Sequence, residues 1–143
     1  MGTSIARICC VLLMMSLAIG CGPGGPEIAR VEGTVTMDSK PLPAAIIMFV
    51  PDGGRPSVCE TDANGKYVLE FSGGRKGSIP GKNRVEINNG RLAYEKDGKN
   101  FPAVKESVPA IYNRLTTLEF NVEPGKNNVA DFDLKSGGKI IAE

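Results

Sequence analysis

Prolines at positions 43 and 51 bracket the apolar run AAIIMFV, residues 44–50. A run this short cannot make a stable helix, and the branched side chains of Ile46, Ile47 and Val50 favour an extended chain. It is expected to be the central strand of a sheet. The same punctuation recurs along the chain, which holds 18 Gly and 10 Pro in 143 residues. No amphipathic helical period emerges between these breaks. Further strands are expected at 28–36 (IARVEGTVT), 57–61 (SVCET), 66–71 (KYVLEF), 83–89 (NRVEINN), 116–122 (TTLEFNV) and 128–134 (NVADFDL). In these, Val31 and Val35, then Tyr67, Leu69 and Phe71, then Val85 and Ile87 recur at the period of two that buries one face of a sheet. Asn64-Gly65 accepts positive φ readily and predicts a hairpin between 57–61 and 66–71, and EPGKN predicts a second one between the last two strands. Seven strands with turns every 8–12 residues or so predict an all-β, seven-stranded β-sandwich over residues 28–136, with 137–143 as a flexible tail.

The N-terminus has a different character. Met1–Arg7 carries one positive charge, and Ile8–Ile19 is almost wholly apolar (ICCVLLMMSLAI). That length suits the hydrophobic region of an export signal and falls short of the ~20 residues that span a bilayer. Gly20 and Cys21 follow, then GPGGPE, which supports neither helix nor strand and reads as a tether over residues 21–27. Residues 1–20 are expected to be a cleaved signal peptide. Cys9 and Cys10 would leave with it, and with Cys21 at the boundary only Cys59 remains in the body, so no disulfide framework is expected. Loss of Arg7 leaves 16 Lys and Arg against 16 Asp and Glu. A formally neutral chain without a charged block gives no footprint for nucleic acid.

Leu17–Cys21, LAIGC, resembles the lipobox of bacterial lipoproteins, with Ala18 where that motif usually has Leu. The resemblance implies that Cys21 is lipidated and becomes the new N-terminus, and two or more acyl chains anchor a protein stably. Further along, Gly33 and Val35, the set Thr61, Asp62, Gly65 and Tyr67, the set Ile79, Pro80, Gly81 and Val85, and the set Pro109, Tyr112 and Asn113 occur in order. Together they resemble the carboxypeptidase regulatory-like, transthyretin-like domain, over about Val31 to Leu134. That resemblance implies a Greek-key, immunoglobulin-like sandwich with no catalytic activity of its own.

The residues themselves offer little chemistry. With no His, the commonest general base and metal ligand is missing. The glycine-rich SGGRKGSIPGKN fails the phosphate-loop spacing, since Lys76 stands at the first glycine and Asn83 at the Ser/Thr position. DANG lacks a third calcium ligand, because Lys66 stands there. Cys59 lies in a strand pattern and is expected to be a small packed residue. No catalytic residue, cofactor or metal site is expected. Residues 90–106, GRLAYEKDGKNFPAVKE, are polar, are expected to be an irregular loop, and exceed a typical connection in length. Tyr94 and Phe101 either fold back over one end of the sandwich or form a contact surface with Arg91, Lys96 and Lys99. The expected role is a non-catalytic, lipid-anchored cell-envelope protein, structural or interacting with another envelope protein. The alternative is a glycan- or peptide-binding module using 90–106. The protein would face the periplasm or the cell exterior, held to the membrane through its N-terminal lipid.

Overall fold

The computed structural model describes residues 25–141, so the expected signal peptide (1–20), Cys21 and the first part of the expected tether lie outside the described residues. Eleven short strands are present among them: β1 (Val31–Met37), β2 (Lys40–Pro41), β3 (Ile46–Pro51), β4 (Ser57–Glu60), β5 (Lys66–Val68), β6 (Gly81–Asn88), β7 (Tyr94–Lys96), β8 (Lys99–Phe101), β9 (Glu119–Val122), β10 (Asn128–Val129) and β11 (Phe132–Leu134). Two three-residue 3-10 turns, Ser72–Gly74 and Ala110–Tyr112, are the only helical pieces among the described residues.

One sheet runs β4-β3-β6-β9, antiparallel throughout. AAIIMFV therefore lies inside a sheet, as its composition demands, yet it alternates: Ile47 and Phe49 are buried while Ile46, Met48 and Val50 are only partly so. The other sheet is built on β1. Along one edge β1 pairs in parallel with β10 and then, in unbroken register, with β11; along the other it pairs antiparallel with β5 and β2. The inner faces meet in a single core that includes Val31, Val35 and Leu134 from one sheet and Ile47, Phe49, Val85 and Ile87 from the other. Phe49 joins the layers, with its ring 5.8 Å from that of Phe120 in tilted geometry and 6.3 Å from that of Phe132 edge to face. The chain is all-β and sandwich-like.

Both expected hairpins are corrected. The Asn64-Gly65 turn forms, closed by Asp62, whose Oδ1 accepts from Asn64 N–H (2.8 Å) and Lys66 N–H (2.9 Å). Only Gly65 takes positive φ, at 72°. Its arms then diverge: β4 pairs with β3 and β5 with β1, leaving one bridge, Val58–Glu70, between them. Likewise β9 pairs with β6, whereas β10 and β11 cross to β1. Each turn thus carries the chain from one sheet to the other. The physical reason is burial: beside β1, Tyr67 lies against Gly33 and is buried, and beside β3, Cys59 and Ser57 stand opposite the core residues Ile47 and Phe49.

The motif residues are structural. Thr61 Oγ1 donates to Leu42 C=O (2.6 Å) and accepts from Ala45 N–H (2.9 Å). Tyr67 Oη donates to Ala130 C=O (2.5 Å) above Gly33, where a Cβ would lie 2.0 Å from that same carbonyl oxygen. Asn83 Nδ2 donates to Ile79 and Gly81 carbonyls and so holds the IPG turn. Tyr112 Oη accepts from Lys135 N–H, and Asn113 Nδ2 donates to Val108 C=O. Residues 137–141, expected as a tail, pass the 108–110 segment, where Ala110 N–H donates to Lys139 C=O (2.8 Å).

Strand direction places the two ends of the molecule. The chain enters beside Ser78, which pairs with Ala29, and Arg75 donates to Pro26 C=O there. From Gly81 to Asn88, β6 then travels about 23 Å at roughly 3.3 Å per residue. Residues 89–107 project from its far end.

Candidate functional site

The segment expected to be an irregular loop is a long β-hairpin. Asp97 and Gly98 both take positive φ, 52° and 70°, the turn whose twist matches paired strands. Asp-Gly is a strong hairpin signal, and it stands in plain view in the sequence. Below the turn, Lys96 pairs with Lys99, Glu95 with Asn100 and Tyr94 with Phe101. Pro102 interrupts the ladder, which resumes where Arg91 and Val104 exchange both backbone hydrogen bonds at 2.9 Å.

The base is fastened by side chains. Asn89 Nδ2 donates to Ser107 Oγ (2.8 Å), and Asn89 Oδ1 accepts from Ser107 N–H (2.9 Å). The Glu106 carboxylate accepts from the N–H groups of Asn89, Gly90 and Val108, the last at 2.7 Å. These bonds set the hairpin on the end of β6 without burying its strands, and β7 is exposed at all three positions.

All five residues singled out in the sequence are brought together. Residues two apart share a face, so Tyr94, Lys96, Lys99 and Phe101 point the same way. The Tyr94 and Phe101 rings stack, 4.8 Å apart and 7° from parallel, and the Arg91 guanidinium lies over Tyr94 at 5.8 Å. The rings do not fold back over the sandwich: Tyr94 is 42% exposed. Lys96 and Lys99 stand opposite one another, and neither has an ion-pair partner among the described residues. Like charges directly across a two-stranded ladder are unfavourable. The hairpin therefore presents an aromatic pair flanked by cations on one face, while Glu95 and Asp97 balance Lys96 and Lys99 in formal charge at the tip.

A hollow of about 600 Å³ opens beside β4 and includes Cys59. Burial pushes that thiol up to about 12. A thiol so far from ionisation is a poor nucleophile at neutral pH. Among the described residues no group of three or more His, Cys, Asp or Glu is placed to hold a metal, and no helix is long and apolar enough to cross a membrane.

No family model matches the chain, and no curated protein is similar to it. Among solved structures, a 9R-lipoxygenase from Cyanothece PCC8801 aligns over 76% of this chain at 12% identity and a TM-score of 0.40. The match takes in 16% of the lipoxygenase chain. A likeness that weak assigns neither fold family nor activity.

Proposed function

We propose that this protein is a non-catalytic, lipid-anchored module of the cell envelope that engages another envelope protein through the 89–107 hairpin. The observation that carries the reading is the strip of Arg91, stacked Tyr94 and Phe101, and the opposed Lys96 and Lys99 on a hairpin that buries little of itself. Aromatic and Arg side chains are the types that anchor protein interfaces, and Lys96 and Lys99 on the same face as the rings suit a partner with acidic groups. Position supports the same role. The chain enters at one end of β6 and the hairpin stands at the other, so lipid on Cys21 would turn the hairpin away from the membrane.

The fold we propose is the seven-stranded, Greek-key, transthyretin-like sandwich implied by the motifs. In its favour, β1, β3, β4, β5, β6 and β9, together with β10 and β11 taken as one interrupted strand, make seven. Absence of His in the chain and the structural duties of the motif residues favour a domain without catalysis or cofactor, and the balance of 17 Lys and Arg against 16 Asp and Glu favours a partner other than nucleic acid.

Photocrosslinking in intact cells tests the interaction. A crosslinker at residue 99 should capture a discrete protein, identified by mass spectrometry, and capture should fall at least about tenfold in Tyr94→Ala, Phe101→Ala with thermal stability retained. Equal capture from residue 125, at the other end of the molecule, would overturn it. The aromatic pair also favours a second reading, a glycan-binding module; glycan-array signal lost in the same double variant, with no protein captured, would put that reading first.

A further inference from the structure

Beneath the hairpin lies a cleft of about 490 Å³, between the β6 end, the Arg91–Val104 bridge and the chain near residue 141. Its lining divides in two. Arg91, Lys105 and Arg114 contribute cations, and Leu92, Val104 and Ile141 contribute apolar surface. Leu92 is 86% exposed, far more than a packed leucine.

Two carboxylates also border the cleft, Glu86 and Glu106, and both are engaged elsewhere. Glu106 accepts from three backbone N–H groups, and Glu86 pairs with Arg84 across the outer surface of β6. Arg91 is different. Its Nε is shielded from solvent and has no hydrogen-bond acceptor. A buried guanidinium N–H without an acceptor costs free energy, and in native proteins such groups usually meet a water, an ion or a ligand. The guanidinium also lies over Tyr94, which fixes its plane beside the cleft.

We infer that this cleft binds the C-terminal carboxylate of a peptide whose last side chain is apolar. Arg91 offers the planar fork that matches a carboxylate, with Lys105 adding charge, while Leu92, Val104 and Ile141 receive the side chain. An acidic sugar fits less well. Its ring hydroxyls need neutral donors and acceptors, and the Asn113 side chain at the cleft is already bonded to Val108 C=O and Arg114 N–H. The volume lies within the range of small-ligand sites and accommodates a short peptide end. The inference rests on the proposed function only in taking the hairpin end of the molecule as the binding end.

The test uses the full chain in detergent micelles, titrated by calorimetry with N-acetyl-leucyl-leucine, the same peptide as its C-terminal amide, and N-acetylneuraminic acid. The free acid should bind, the amide at least about tenfold more weakly, and the sugar no better than the amide. Arg91→Gln should lose the preference for acid over amide, Arg91→Lys should keep part of it, and Lys126→Gln, in the turn at the opposite end of the molecule, should keep all of it. Backbone shifts at 91 and 104 on adding the acid should accompany binding. Equal affinity for acid and amide, no binding of the acid at millimolar concentration, tighter binding of the sugar, or an Arg91→Gln variant that still discriminates would each overturn the inference. Captured protein at residue 99 without acid binding removes this inference alone; acid binding without capture leaves it standing and removes the envelope-partner reading.

Discussion

Asp38 and Ser39 turn the chain between β1 and β2 with φ of 50° and 64°, a left-handed pair without a glycine. Side chains compensate. Asp133 Oδ1 accepts from Ser39 N–H (3.0 Å) and Thr36 Oγ1 (2.8 Å), and Asp38 Oδ1 accepts from Ser136 N–H. The Lys135 ammonium on Asp133, with these two donors, holds its carboxyl at about 2. A carboxyl whose folded value lies below its ordinary 3.8 adds stability above about pH 4 and loses it as pH falls toward 2, because the unfolded chain takes up the proton first. Asp133→Asn should therefore lower the urea midpoint at pH 6, with the difference from the parent chain shrinking below pH 4 and nearly gone at pH 2. A difference independent of pH would show that the carboxylate charge is not what holds the turn. Neither this site nor the Tyr67–Ala130 bond over Gly33 is legible in sequence, because each joins residues more than sixty positions apart.

Among the elements, the hairpin is the one whose stability is least shared with the core. A two-stranded ribbon is marginal alone, so its order depends on its foot, where Glu106 accepts from three backbone N–H groups. Glu106→Gln keeps the shape but removes the charge that strengthens those bonds. Amide exchange at Arg91, Val104 and Val108 should quicken by about tenfold, with β3 and β6 unchanged, as expected for local opening. Uniform acceleration would mean that the hairpin unfolds only with the sandwich. The strands of the core were readable from alternation or, for 44–50, from an apolar run between prolines, and so were the turns at Asn64-Gly65 and EPGKN. Pairing was not. Asn64-Gly65 and the EPGKN turn specify a reversal of direction, and nothing local says whether the returning strand rejoins its own sheet or the opposite one. Asp97-Gly98 needed no tertiary knowledge; the polarity of the residues around it masked a hairpin that has no core-facing side.

At the scale of the whole molecule, the proposed processing and acylation at Cys21 would govern where the hairpin points. Cys21→Ala should accumulate a larger precursor on gels and lose the acylated form from the detergent phase on partitioning; unchanged size and membrane retention would refute lipid anchoring. By itself the sequence determined an all-β chain, because Gly and Pro cut it into strand-length pieces and alternation marks their inner faces, both properties of neighbours along the backbone. It also picked out Arg91, Tyr94, Lys96, Lys99 and Phe101 as a group, since their segment was too long and too polar to be mere connection. Only the tertiary structure decided that β4 and β5 part company, that β10 and β11 run parallel to β1, and that Tyr94, Lys96, Lys99 and Phe101 share one face while Arg91 lies over Tyr94 and lines the cleft beneath. Those outcomes turn on which distant surfaces exclude water from each other most completely, a competition among the whole chain's apolar faces that no local stretch of residues encodes.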